Sequence, residues 1–228
     1  MDMRHTKSQS TSPDRTWALP ATTRRVLLLA PPLLLAALEI IHPQPDETVQ
    51  ALMDVSTWFA GFHVIQLVLA GLVALSVLLL ADGYGRTNAR VTRLGIGVFL
   101  VFFSAYDAVA GIATGLAMRS ARDLSAVQQE GVFDVVKDWP AFGPPFALSI
   151  VGSLGWMAAL GALALAARRQ GAPPHEWLLI GLAGAILLLG GHPFPFGTLA
   201  FGCFFIAALL HDFRAASHDS ASKPRNQR

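Results

Sequence analysis

Six apolar runs, at about 25–42, 58–81, 94–118, 142–167, 177–191 and 196–211, leave this chain few ways to fold. Roughly 20 residues of α-helix span a hydrocarbon core about 30 Å thick. In lipid every backbone polar group needs a partner inside its own segment or in a closed barrel. These runs are too long and continuous for barrel strands. They predict an all-α fold, a six-transmembrane-helix bundle. Composition points the same way, with 53% hydrophobic and 14% charged residues, whereas an average soluble domain is about a quarter charged. A disordered chain, a collagen and an ordinary cytosolic enzyme are excluded on that ground. The single cysteine, Cys203, cannot form an intrachain disulfide or a multi-thiolate metal site. Lysines and arginines do not interleave with aromatics, so nucleic acid is not an expected partner. The expected partner is the lipid bilayer, in the plasma (inner) membrane, and a chain of this kind can also assemble into homo-oligomers.

Direction follows from the basic residues near the span ends. The N-terminal tail carries Arg4, Lys7, Arg15, Arg24 and Arg25. The second connection carries Arg86, Arg90 and Arg93, the fourth Arg168 and Arg169, and the C-terminal tail Arg214, Lys223, Arg225 and Arg228. Together these are 14 of the 17 lysines and arginines. The opposite side holds Arg119, Arg122 and Lys137 beside Asp46, Glu47, Asp54, Asp123, Glu130, Asp134 and Asp138. Both termini are therefore expected in the cytoplasm, with Trp58 and Trp139 at the outer interface and Trp177 and Tyr84 at the inner one. Residues 1–23 and 212–228 read as loose cytoplasmic tails around a transmembrane domain at 24–211. The first apolar run contains Glu39 and no clear small-x-small site, so it reads as an uncleaved span rather than a signal peptide.

The two long outer connections carry helical patterns. Asp46 can cap a helix whose Val49, Leu52, Met53 and Ser56 share a face. Leu124, Val127, Val135 and Val136 recur at helical spacing, and either segment could lie flat on the outer surface. Gly111 with Gly115, and Gly152, Gly155 and Gly161, are small residues that let helices approach closely in lipid.

Glu39 and Asp107 are acids placed within spans. Each such group costs about 2.5–3.5 kcal/mol on insertion scales, so it should face the bundle interior or water and meet a partner. At about 1.5 Å per residue from the cytoplasmic end, Asp107 lies near 20 Å and Glu39 near 21 Å. Gln66 and His192 fall near 22 Å, His42 near 25 Å and His63 near 27 Å. Glu39, His42, His63, Gln66, Asp107 and His192 thus share one slab of the outer leaflet, the expected lining of a polar pocket. Glu39 and His42 are three apart, as are His63 and Gln66, so each pair shares a helix face. His42-Pro43-Gln44-Pro45 ends the first span and His192-Pro193-Phe194-Pro195 the fifth. An internal duplication would explain the repetition, and so would the frequency of proline after helix ends. The fifth run is short, and non-helical backbone below the interface survives only where protein or a water-filled cavity covers it.

Several chemistries are open to such a pocket. The leading expectation is a small ligand or ion bound without catalysis. His42, His63 and His192, with Asp107 or Glu39, would also suffice to hold zinc, iron or copper, as in a metal-dependent membrane enzyme. Two facing histidines could ligate a haem iron. Buried carboxylates and histidines also serve in transport of small molecules or lipids, and a polar network can fix helix register with no ligand. In residue types alone the set resembles the alkaline ceramidase and adiponectin-receptor hydrolases. The chain has six runs where those proteins have seven spans, and it lacks their late His-x-x-x-His pair. With His42-Pro43 at the first span's end and Phe62-His63 near the second's start, the chain is similar over residues 25–211 to uncharacterised bacterial multi-pass membrane proteins. That resemblance implies a six-span bundle and no particular activity.

Overall fold

The computed structural model of the chain describes residues 19–44, 48–82, 84–138 and 144–222. The expectations for the tail before residue 19, for Asp46, Glu47 and Trp139, and for the last six residues lie outside these. Every regular element described is helical. They are α1 (Ala21–Ile40), α2 (Val49–Ala81), α3 (Arg86–Asp107), α4 (Thr114–Ser120), α5 (Ala126–Val136), α6 (Pro144–Arg169), α7 (Pro174–Gly190) and α8 (Phe196–Ser222). A π-helical segment, Ala108–Ala113, joins α3 to α4. Five stretches are long and apolar enough to cross a membrane: Ala21–Ile40, Val49–Ala81, Thr87–Asp123, Phe146–Arg169 and Phe196–Ser217. The 17-residue α7 is apolar but shorter. The chain is a helical membrane protein.

The long helices form a ring in chain order. Each of α1, α2, α3, α6, α7 and α8 packs on the next, and α8 returns to α1. Directions alternate, as the contacts at one end show. Arg24 at the start of α1 donates to the Leu79 carbonyl at the end of α2 (2.9 Å). Arg25 pairs with Asp212 late in α8 (2.8 Å). Glu176 at the start of α7 accepts from Arg214 late in α8 (3.0 Å). Inside the ring lie Leu28, Leu35, Val73, Val77, Phe99, Leu160 and Phe204, all fully buried. Trp156 is buried among them, its indole N–H donating to the Ala183 carbonyl (3.0 Å). Leu94, Val101 and Leu189 point outward, 73%, 65% and 83% exposed. An apolar exterior over an apolar core suits a solvent of lipid rather than water.

Local chemistry explains the less regular helices. Pro31 and Pro32 sit inside α1. Proline has no N–H, so Pro31 leaves the Leu27 carbonyl one turn back without its helical donor. The buried Ser76 hydroxyl on α2 donates to that carbonyl (2.7 Å), tying α1 to α2 where the ladder is broken. Thr48 caps α2, its hydroxyl accepting from the Ala51 N–H (3.2 Å).

The two connections expected on the outer side differ from that expectation. The face of Leu52, Met53 and Ser56 does not belong to a separate surface helix. It is the first part of α2, which runs unbroken for 33 residues, about 50 Å. Leu52 and Met53 pack on Met118, Phe133 and Val136, so the segment after α4 folds back onto this extension as α5. Val127 and Val135 remain exposed while Val136 is buried. Arg122 closes the corner, donating to the Met53 carbonyl (2.6 Å) and the Ser56 hydroxyl (3.1 Å).

The last helix also departs from expectation. The chain after 211 is helical as far as Ser222 rather than loose over that stretch. Asp212 and Arg214 are held by Arg25 and Glu176, which carries the helix past its apolar run. The small residues divide. A Cβ at Gly152 would stand 2.9 Å from the Phe103 backbone nitrogen, and one at Gly155 2.8 Å from the Gly95 carbonyl, so both set the close approach of α6 to α3. Gly161 faces open space and serves no such contact.

Candidate functional site

The end of the bundle away from the Arg24, Arg25 and Arg214 contacts holds a polar cluster. Its parts come from the C-terminal end of α1, the middle of α2, the C-terminal end of α3 and the α7–α8 turn. Glu39, His42, His63, Gln66, Asp107 and His192, read from sequence as one slab, all meet here. Glu39, Gln66 and Asp107 are fully buried, His63 and His192 nearly so, and His42 is half-buried at the edge.

Gln66 is the central connector. Its side-chain amide donates to Glu39 Oε1 (2.8 Å) and lies 2.9 Å from His192 Nδ1. Glu39 Oε2 is 3.7 Å from the same Nδ1. The Nδ1 edge of His192 is therefore the engaged one, and its Nε2 lies 3.9 Å from Asp107 Oδ1. His63 is fixed from its own helix. Its Nδ1 is 2.7 Å from the Phe59 carbonyl, which can only accept, so Nδ1 carries the proton. The His63 Nε2 lone pair is left facing the cluster, 3.8 Å from Asp107 Oδ1. The ring of His42 lies 5.3 Å from that of His63 and 5.1 Å from that of His192, centroid to centroid.

Apolar and aromatic groups wall the cluster. Phe62 stands edge-on to His42 (4.8 Å), and Phe103 and Tyr106 edge-on to His192 (5.5 and 6.1 Å). Two glycines let the walls close. A Cβ at Gly111 would fall on the His63 ring, and one at Gly197 would fall on the His192 carbonyl. The α1 end meets the α7–α8 turn at Gln44, whose amide donates to the Phe194 carbonyl (3.3 Å). Gly191, at φ 70°, turns the chain out of α7 so that His192 points inward. The π-helical segment begins at the residue after Asp107, so the acid sits where the regular ladder gives way.

Many polar atoms here have no partner among the described residues. They are Glu39 Oε2, both ring nitrogens of His42, Gln66 Oε1 and both oxygens of Asp107. The acids of the cluster face its histidines, and Glu39 also accepts from Gln66. No lysine or arginine among the described residues pairs with Glu39 or Asp107.

Sequence reasoning missed a third buried acid. Glu176, 1% exposed at the start of α7, accepts from Arg214 and lies 3.1 Å from His211 Nδ1. His211, on the last helix, thus has an acidic partner. The signal was present: His211 and Arg214 are three apart, on one face of the last helix, at the end where α7 begins. Nearby, Tyr84 packs beside His211 (6.2 Å). Burial, and then the Glu176 carboxylate, push its phenol up to about 12.

Fold and cluster together define a class: an α-helical membrane protein with a buried histidine–carboxylate cluster inside its bundle. Compared with protein-family models, with curated proteins and with solved structures, the chain matches none.

Proposed function

We propose that the protein crosses the plasma membrane six times, with both termini in the cytoplasm, and binds a small polar ligand or ion in its outer-leaflet pocket. The helix ring supports the span count. α7 is short but is packed between α6 and α8 and alternates in direction with both. The observation that carries the binding reading is the set of unpartnered buried atoms on Glu39, His42, Gln66 and Asp107, gathered at one point. A buried polar atom left unsatisfied costs about 1–3 kcal/mol, more when charged. A network that only fixed helix register would gain by pairing these atoms with one another. Here Glu39 Oε2 and Asp107 Oδ1 instead stand 3.7–3.9 Å from the nitrogens of His63 and His192 that they face, the spacing of groups that share a third party.

The test is thermal unfolding of detergent-purified protein against a panel of ions and small polar solutes. At least one solute should raise Tm with concentration, as a ligand of the folded state must. Asp107→Leu should abolish that shift. Without ligand, it should leave the protein as stable as wild type or up to about 4 kcal/mol more so, because a buried carboxylate with no partner is a cost. No shift from any solute, together with a large loss of stability in Asp107→Leu, would make the cluster a structural network and overturn the reading.

A further inference from the structure

The geometry points to a resident transition-metal ion in this pocket, held by His42, His63, His192 and Asp107; this deepens the binding reading above and rests on it. The three histidines each offer a nitrogen, and these nitrogens lie within 4.8 Å of one another. Asp107 Oδ1 stands 3.8 Å from His63 Nε2 and 3.9 Å from His192 Nε2. These gaps are too wide for hydrogen bonds. They fit a shared ion. Zinc bonds to nitrogen and carboxylate oxygen at about 2.0–2.2 Å, which places neighbouring ligand atoms of a tetrahedron roughly 3.3–3.4 Å apart. The carboxylate and two of the imidazoles need to close by only about half an ångström to reach that geometry. The widest histidine pair closes by roughly 1.5 Å, a distance that a modest χ1 rotation sweeps at the tip of an imidazole.

The surroundings orient the ligands as metal sites do. A ligating imidazole characteristically gives its second nitrogen to a carbonyl or carboxylate, which sets the tautomer and aims the ring. His63 has the Phe59 carbonyl on Nδ1. At His192 the Gln66 amide donates to Nδ1, and Glu39 Oε2, 3.7 Å from that nitrogen, is the carboxylate that would take its proton once Nε2 is given to an ion. Both Nε2 atoms are thereby turned toward the same Asp107 oxygen. Two carboxylates are fully buried and the described residues offer them no lysine or arginine, so a bound cation would be the partner that lets them ionise. Imidazole donors select zinc, copper or iron-type ions over magnesium or calcium, which prefer oxygen throughout. The ring packing disfavours haem. The imidazoles touch one another with centroids 5.1–6.2 Å apart and Phe62 and Phe103 close around them, which leaves space for a bare ion and none for a macrocycle. His42, half-buried as a residue, stands at the edge of the cluster with both ring nitrogens buried and unpartnered among the described residues.

The experiment uses the full chain purified in detergent without chelators. Elemental mass spectrometry should find about one zinc, copper or iron per chain. After stripping, Co²⁺ alone should restore one equivalent and give the visible bands of a low-symmetry nitrogen–oxygen site. His63→Ala, His192→Ala and Asp107→Asn should each weaken Co²⁺ binding more than tenfold. Gln66→Leu, which leaves every ligand in place, should weaken it by about 10–100-fold. Only variants that elute as a single species and keep a cooperative unfolding transition are compared, and Gln66→Leu stands in where a ligand variant fails this. No metal above background and no cobalt spectrum would overturn the proposal, as would undiminished metal in these variants. If in that case another solute still shifts Tm through Asp107, the pocket reading survives without the metal. If nothing does, both fall.

Discussion

His63 and Asp107 come from different helices, and neither has a better-placed ionic partner than the other and His192. Their contributions to stability should therefore not add. His63→Ala and Asp107→Asn, alone and combined, should show a coupling of about 0.5–3 kcal/mol in chemical or thermal unfolding. Additivity within experimental error would mean that they do not share a site. Gly111 gives a second check that leaves every polar group in place. A methyl in Gly111→Ala falls on the His63 ring. The ring must move, at a cost of about 1–3 kcal/mol, and ligand-dependent stabilisation should weaken markedly. An unchanged ligand-induced Tm shift would show that the His63 position does not matter to binding. At this scale the cluster was legible because charges and histidines are costly in apolar runs and because three-residue spacing puts pairs on one face. Glu176 was not. It stands beside the boundary of its run, where an acid looks like an ordinary helix-terminal residue, and only the packing of α7 on α8 reveals its burial.

At the scale of the element, α1 owes its continuity to a neighbour. Pro31 removes the donor for the Leu27 carbonyl, and Ser76 of α2 supplies one instead. Ser76→Ala should cost about 1–3 kcal/mol, the penalty of a buried carbonyl left unpaired. In a Pro31→Ala background the restored helical N–H reaches the same carbonyl, so the cost of Ser76→Ala should shrink to a few tenths. Unfolding of the four proteins measures this. An equal cost in both backgrounds would show that Ser76 acts through packing or through its own-helix bond to Leu72. Periodicity located every long helix because each apolar run is a property of neighbouring residues. It could not decide whether a helical pattern ahead of a run joins it. Val49 to Ser56 carries its own apolar face and so read as separate, yet nothing between Ser56 and Trp58 breaks the helix, and α2 passes through. The π-helical segment after Asp107 leaves no composition signal, since Ala108–Ala113 contains only small and apolar residues.

For the whole molecule, the ring places two chemically different ends on opposite sides. One end joins Arg24, Arg25 and Arg214 to the ends of α2, α7 and α8. The other holds the histidine–carboxylate cluster and the α4–α5 corner. Helix order around the ring could not be read from the runs themselves, which fix which residues are apolar but not which helices touch. Orientation can be argued from charge, because basic residues near span ends remain on the cytoplasmic side. In the proposed orientation the cluster opens outward, and the proposed ion would come from outside the cell. A cysteine scan decides this. With Cys203 replaced by alanine, Thr48→Cys and Ala126→Cys should react with an impermeant thiol reagent on intact cells, and Asn88→Cys only after permeabilisation. Thr48 caps α2 and Ala126 begins α5, both at the cluster end, while Asn88 lies in the first turn of α3 at the basic end. The reverse pattern would invert the molecule, turn His42 toward the cytoplasm and make the cytoplasmic pool the source of the ion. Labelling of residues 48 and 126 on different sides would mean that α2 and the α3–α4 stretch between them do not both cross, and the six-span reading would fall there.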